Sequence, residues 1–262
     1  MLNGIDVSYH NGTIDWSKVK ASGCDVAIIR AGYGKRTMDK KFIENICGAN
    51  TADVEVGIYW FIYASSVAEA VANADMCDSV ISLYKGIISY KVWADWEYDS
   101  DKRAPGQTRE SRTAIVKAFL DRLEAKGYEV GIYANPDYIN SKFDWKQLAS
   151  YPLWLAKYST SKGSFNPLLW QHTLKGRMTG ISGYVDLNHV YVDKTVIVDD
   201  YYDVPLIKTG SIVAALVSVG ADGSFTHRKK IAAANGIDSY KGLYVQNVQM
   251  LKMLNDGKLK KI

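Results

Sequence analysis

The sequence predicts an α/β fold: an irregular β/α barrel whose last third is depleted of helices, followed by a small helical module. Three observations carry this. Eight short runs rich in β-branched and aromatic residues recur up to position 190, and their apolarity is continuous rather than alternating, as for strands buried on both faces. Helical periodicities fill the gaps between the early runs. The last gaps, 158–168 and 173–184, hold only about ten residues each, short for a parallel crossover with its helix.

GIDVS (4–8) is the first strand, and DWSKVKASG (15–23) a short helix stopped by glycine. VAIIRAGYG (26–34) is the second strand, and Met38, Phe42 and Ile46, spaced by four, mark the helix after it. VGIYWFIYA (56–64) precedes a helix marked by Val67, Val71, Ala74 and Ile81. KVWADWE (91–97) precedes a helix on Ile115, Phe119 and Leu123, ended by Gly127. YEVGIYA (128–134) leads into an irregular helical stretch over 137–149. PLWLAKY (152–158), LLWQHT (168–173) and YVDLNHV (184–190) complete the set and are expected to pair without helices, at least partly antiparallel. The pattern is five βα units and then three strands.

Beyond them, three helical patterns cover Ile212–Val219, Thr226–Asn235 and Tyr244–Asn255, with Gly220, Gly236 and Gly257 at their ends. The expected organisation is a barrel over 1–197, a linker over 198–210 and a module over 211–262. About fifty residues are few for an independent core but enough for three helices.

Composition narrows the function. Apolar residues make up 47% and charged residues 23%, so a large core can form, and 18 Tyr with 7 Trp suit a groove for flat amphipathic ligands such as sugars. Cys24, Cys47 and Cys77 are far apart, in stretches read as helices or their ends. They are expected to be buried free thiols, with neither a disulfide framework nor a zinc site. No metal or cofactor is expected. MLNGIDVSYH lacks the basic and apolar regions of a signal peptide, and no run approaches the roughly 18–20 apolar residues of a membrane span. From Lys208 onward stand nine Lys/Arg against three Asp, a tail of +6, while the remainder, with 23 basic and 25 acidic residues, is −2. A basic tail on a weakly acidic body suits an anionic partner or a solvated face. Its aromatics, Phe225, Tyr240 and Tyr244, are few and fit no nucleic-acid-binding signature.

The chemistry concentrates in KVWADWEYD (91–99), where Asp95 and Glu97 stand one residue apart. On a strand they point the same way, with Cα atoms about 6.5–7 Å apart. They fall near the C-terminal end of the fourth strand, the end that carries the active site in β/α barrels. Asp6 ends the first strand and Asp186 begins the eighth. These two strands close the barrel, so the four carboxylates share one mouth, ringed by Tyr33, Trp60, Tyr63, Tyr133, Trp154 and Trp170. Lys157 and Gln171 join Tyr33, Trp60, Tyr63, Tyr133 and Trp154 as candidate substrate contacts. Crowded, desolvated carboxyls hold protons toward neutrality, as the general acid of a glycoside hydrolase must. GxSxG, HExxH, P-loop and GxGxxG motifs are absent.

GIDVSYHNGTIDW, AIIRAGYG, GIYWFIYA, WADWE, GIYAN, LWLAKY, LWQHT and VDLNH, in order over roughly residues 1–195, resemble the glycoside hydrolase family 25 lysozymes. The resemblance implies a flattened (β/α)5(β)3 barrel. It also implies N-acetylmuramidase activity on bacterial peptidoglycan, cutting the β-1,4 bond between N-acetylmuramic acid and N-acetylglucosamine. It makes Glu97 the general acid and Asp95 its partner, with Asp6 and Asp186 the family's other acids. Asp95 then either orients the substrate's 2-acetamido group or acts with a water and inverts. A chitinase-like barrel also places Asp two before Glu, but the upstream acids of that signature are here Trp93 and Lys91. A non-catalytic glycan-binding barrel would be expected to have lost Glu97 or Asp95. SFTHRKKIAAANGIDSYKG…QNVQMLKMLNDGKLKKI resembles short C-terminal modules of phage endolysins and peptidoglycan amidases. That resemblance implies wall binding, to an anionic polymer. Together they imply a phage or prophage endolysin made in the host cytoplasm and released to the wall, with a secreted autolysin as the alternative.

Overall fold

The computed structural model describes residues 1–191, 201–205 and 209–262, and the chain divides into two compact units, Met1–Asp193 and Lys194–Ile262. In the first unit eight strands close a barrel: β1 (Leu2–Val7), β2 (Val26–Tyr33), β4 (Glu55–Phe61), β5 (Ile88–Asp95), β6 (Val130–Ala134), β7 (Leu153–Ala156), β8 (Leu169–Gly176) and β9 (Val185–Val190). β3 (Thr37–Met38) is a two-residue strand that folds back on β2 as a hairpin. Seven strands run parallel, and β9 alone lies antiparallel, between β8 and β1. β7 and β8 are parallel although no helix joins them. The antiparallel pairing expected among the last strands is therefore confined to β9.

The helices follow the apolar periodicity with two differences. α1 (Trp16–Ala21), α2 (Phe42–Thr51), α3 (Val67–Ile81) and α5 (Arg109–Ala125) fall where it indicates. Asp15, Ser66 and Thr108 cap α1, α3 and α5 with side-chain oxygens. Met38, assigned to the second helix by spacing, is instead exposed on β3, because the chain turns through the hairpin before α2 begins. α4 (Tyr98–Arg103) has no apolar periodicity and was not foreseen. A helical stretch over Tyr138–Lys142 and α6 (Trp145–Leu148) fill the irregular region after β6.

Two apolar layers hold the barrel. Inside it, Trp154 packs edge-on against Tyr133, Trp93 and Tyr59 at centroid distances of 4.7, 5.8 and 5.9 Å. Outside it, Trp60, Trp96, Phe42, Phe119 and their neighbours fill the space under the helices. Cys24 and Cys77 are buried, but Cys47 lies on the outer face of α2 and is exposed, contrary to the expectation for all three.

In the second unit α7 (Ile212–Ser218), α8 (Phe225–Ala234) and α9 (Tyr244–Asn255) bury Leu216, Ile231, Met250 and Leu254. Gly220, Gly236 and Gly257 follow them at positive φ. Of the expected linker over 198–210, residues 198–200 and 206–208 lie outside the described residues. Tyr202 packs into the core of the helical unit, and Tyr201 pairs with Lys260. Among the described residues no helix is long and apolar enough to cross a membrane.

Candidate active site

Strand register assembles the site. Phe61 pairs with Asp95, Asp95 with Tyr133, and Tyr133 with Trp154, in one row around the barrel. Asp6 pairs with Asp186 across the closing strands. Glu97 follows β5 with extended backbone, φ −128° and ψ −174°, so the alternation of faces continues past the strand. Trp96 therefore turns outward into the core while Asp95 and Glu97 turn inward. All four carboxylates line one cavity of about 430 Å³, together with Tyr133, Trp154 and Gln171.

Two side-chain amides hold the far wall. Asn188 Nδ2 and Gln171 Nε2 donate to Asp6 Oδ2 at 2.8 and 2.9 Å. Gln171 Oε1 accepts from the Tyr133 and Tyr158 hydroxyls, both at 2.9 Å, and Asn188 Oδ1 accepts from Trp154 Nε1 at 2.7 Å. Asp95 lines the cavity beside Glu97, and its Oδ1 has no hydrogen-bond partner. Arg30 is the cation lining the cavity, and its Nε is engaged by Asp39 Oδ2 at 2.7 Å.

Too little positive charge faces too many acids, and protons make up the difference. Burial pushes Glu97 up to about 7; Asp6 and Asp99 add to this, while the Tyr133 hydroxyl opposes it. Burial and then the Asp6 charge push Asp186 up to about 8. Asp6 is raised by burial against the pull of the two amides. Asp95 is raised well above the usual range by burial, then by Glu97 and Asp6. The cavity thus keeps carboxyl protons at neutral pH, beside a wall of aromatic faces.

Glu97 is held from behind. Its N–H donates to Ser100 Oγ at 3.2 Å at the start of α4. One turn on, Asp101 accepts from Trp96 Nε1 at 3.2 Å, Arg112 Nε at 2.8 Å and the Tyr138 hydroxyl at 2.6 Å. These bonds tie α4 to α5 and to the 138–142 stretch, and they account for a helix with no periodicity of its own.

Five of the residues expected at the mouth lie elsewhere. Trp60 points to the opposite face of β4 from Tyr59 and Phe61, and its indole is fully buried. Trp170 likewise faces the outer core and donates to the Lys157 carbonyl at 2.8 Å. Lys157 turns its ammonium to the Ser161 carbonyl rather than into the cavity. Tyr33 and Tyr63 line a second cavity beside the β2–β3 hairpin. Tyr59, Phe61, Tyr158 and Arg30 line the main cavity but were missed. Strand alternation could have found the first two, since they flank Trp60, and could equally have found Asn188, two after Asp186. Among the described residues no cluster of three or more His, Cys, Asp or Glu is placed to hold a metal ion.

A family model described as "Glycosyl hydrolases family 25" matches residues 5–181, which include Asp6, Asp95 and Glu97. The chain is 27% identical over 204 residues to an autolytic lysozyme of Clostridium acetobutylicum; the match covers 76% of this chain and 60% of that one. It is 28% identical to lysozyme M1 of Streptomyces globisporus, covering 71% and 67%. Among solved structures it resembles the modular autolysin LytC of Streptococcus pneumoniae in complex with a synthetic peptidoglycan ligand (TM-score 0.66, 30% identity, covering 72% of this chain and 46% of that one). It also resembles the CTP1L endolysin (TM-score 0.63, 26% identity, covering 75% and 68%). The chain thus spans less than two thirds of the C. acetobutylicum lysozyme and about half of LytC.

Proposed function

The chain belongs to the glycosyl hydrolases of family 25, and from that premise we propose that it is a muramidase, hydrolysing the β-1,4 bond between N-acetylmuramic acid and N-acetylglucosamine in peptidoglycan. The observation that carries the reading is the convergence of four carboxylates on one aromatic-walled cavity. Glu97 is the general acid: with a pKa near 7 and a half-buried side chain, it can both hold a proton at neutral pH and reach a substrate oxygen. Asp95 lies deeper, 3% exposed, and works through what it orients.

At 3% exposure Asp95 has little contact with solvent, which disfavours it as the base that activates a water in an inverting pair. We therefore assign Asp95 to the substrate's 2-acetamido group. The acetamido oxygen attacks C1 as Glu97 delivers its proton to the leaving oxygen and the glycosidic bond breaks. Water, deprotonated by Glu97, then opens the resulting ring at C1 with net retention. Asp6 and Asp186 complete the acidic wall and hold water or substrate there. In the second unit exposed lysines surround an apolar core, which supports binding to an anionic wall polymer, as for an endolysin or autolysin acting outside the membrane.

The test is digestion of purified Gram-positive peptidoglycan by the protein and its Glu97→Gln variant, with mass spectrometry and anomer analysis of the products. Fragments with β-configured muramic acid at the reducing end, from the unaltered protein only, are expected. Turnover retained by Glu97→Gln would remove Glu97 as the acid, and α-configured products would remove the acetamido route.

A further inference from the structure

The second cavity, about 380 Å³, is lined by Tyr33, Gly34, Lys35, Arg36, Thr37 and Tyr63. It is joined to the carboxylate cavity by a run of rings. Phe61 lines the carboxylate cavity and packs against Tyr63 at 5.5 Å; Tyr63 meets Tyr33 edge-on at 5.8 Å. An aromatic surface therefore continues from the site of cleavage into the second cavity.

The cavity is built rather than incidental. An added Cβ on Gly32 would strike the Thr37 carbonyl and the Trp60 ring, so the hairpin sits directly on that indole. Trp60 Nε1 donates to the Gly34 carbonyl at 3.2 Å and fixes the turn, where Gly34 adopts a φ of 60°. On the other side the Tyr63 hydroxyl donates to Asp99 at 2.7 Å, and the Arg103 guanidinium lies 4.3 Å from the Tyr63 ring. Both walls are held before any ligand arrives.

Its charge is specific. Lys35 is neutralised by Glu69 of α3. Arg36 is exposed and makes no ion pair or hydrogen bond among the described residues. The far end of the aromatic surface thus presents sugar-sized ring faces and one uncommitted guanidinium. In a glycan that alternates N-acetylglucosamine with N-acetylmuramic acid, only the muramoyl residue bears a carboxyl-bearing substituent. We infer that this cavity is a second glycan site, which holds a muramoyl residue beyond the cleaved bond and takes its carboxylate on Arg36. The inference rests on the muramidase reading. The carboxylate belongs either to the free lactyl group or to a stem peptide attached there; both offer the oxygens a guanidinium prefers.

The experiment compares kcat/KM of the full chain and its Arg36→Gln variant on defined tetrasaccharides and octasaccharides. Each is prepared with stem peptides, without them, and without them but with the lactyl carboxyl methyl-esterified. The variant is expected to lose about three- to tenfold on carboxylate-bearing octasaccharides and nothing on tetrasaccharides or on the ester. A loss confined to peptide-bearing chains assigns the carboxylate to the stem peptide, and one confined to peptide-free chains assigns it to the lactyl group. Equal rates for variant and parent on all octasaccharides overturn the site, as does an equal loss on the tetrasaccharides. If the unaltered protein cleaves none of these chains, the muramidase reading itself has failed. Tyr33→Ala checks the aromatic half independently: it should slow every octasaccharide, the ester included.

Discussion

Asp95 and Asp101 stand six residues apart on either side of Glu97, and their environments are opposite. Burial works to raise Asp101, but the Tyr138, Arg112 and Trp96 donors outweigh it and hold the carboxyl below its usual range. At Asp95 burial works the same way, Glu97 and Asp6 add to it, and one oxygen has no donor at all. Arg30 opposes the rise, but its Nε is bonded to Asp39. Deeper burial and fewer donors together separate Asp95, 3% exposed, from Asp101, whose side chain is 22% exposed and which fastens a helix.

The sharpest way to break this comparison is activity. Glu97→Gln should lower kcat by about 10²–10⁴, the range for a lost general acid, with the melting temperature unchanged or raised because one carboxyl has left a crowded acidic cluster. Asp95→Asn should cut kcat by about 10² or more, again without loss of stability. An unfolded Asp95→Asn variant would mean that Asp95 is a fastening after all. Asp101→Ala should behave in reverse: about 2–4 kcal/mol of stability lost by thermal or denaturant unfolding, since Arg112 loses its carboxylate and Trp96 and Tyr138 lose their acceptor, and a smaller fall in kcat as α4 loosens.

The pH dependence sharpens the same contrast. Glu97 near 7 and Asp186 near 8 lie above the unfolded values of about 4.3 and 3.9. A carboxyl raised on folding contributes stability that is full below its unfolded pKa and is lost as pH rises through the folded one. Stability from the cluster should therefore fall between about pH 4 and 8. Asp101, lowered on folding, contributes stability above its unfolded pKa that is lost as the solution is acidified. Melting temperature against pH should show an alkaline decline flattened by Glu97→Gln and an acid decline flattened by Asp101→Ala. The catalytic profile should decline above about pH 7 as Glu97 loses its proton.

The smallest effect on chemistry is expected from the second unit. Among its described residues the buried core is apolar and no cluster of acids shares a cavity. Ending the chain near residue 205 should leave cleavage of soluble fragments within about twofold while weakening sedimentation with whole walls. Equal wall binding by the shortened protein would remove the wall-binding role.

Much of the architecture was legible in the residues. Continuous apolar runs gave the strands, four-residue spacing the long helices, and glycines their ends. The DxE spacing together with Asp6 and Asp186 brought out the acidic mouth, because strand periodicity fixes which side chains share a face. Where the reading failed, alternation had been dropped in favour of residue type. Trp60 and Trp170 were placed on the rim as aromatics, although their neighbours Tyr59, Phe61 and Gln171 occupy the inward positions. α4 was illegible because its reason to be helical lies in Asp101 meeting Arg112 and Tyr138, partners 11 and 37 residues away.

The sequence by itself thus determined the order and type of elements, the face on which each acid stands and the basic character of the tail, since these depend on local periodicity and composition. Only the tertiary structure decided which carboxylates keep protons and which are paired, and that the β2–β3 hairpin opens a second cavity. Desolvation and donor count are set by side chains brought together from distant parts of the chain, as Asn188 and Gln171 are at Asp6, and no local pattern records them.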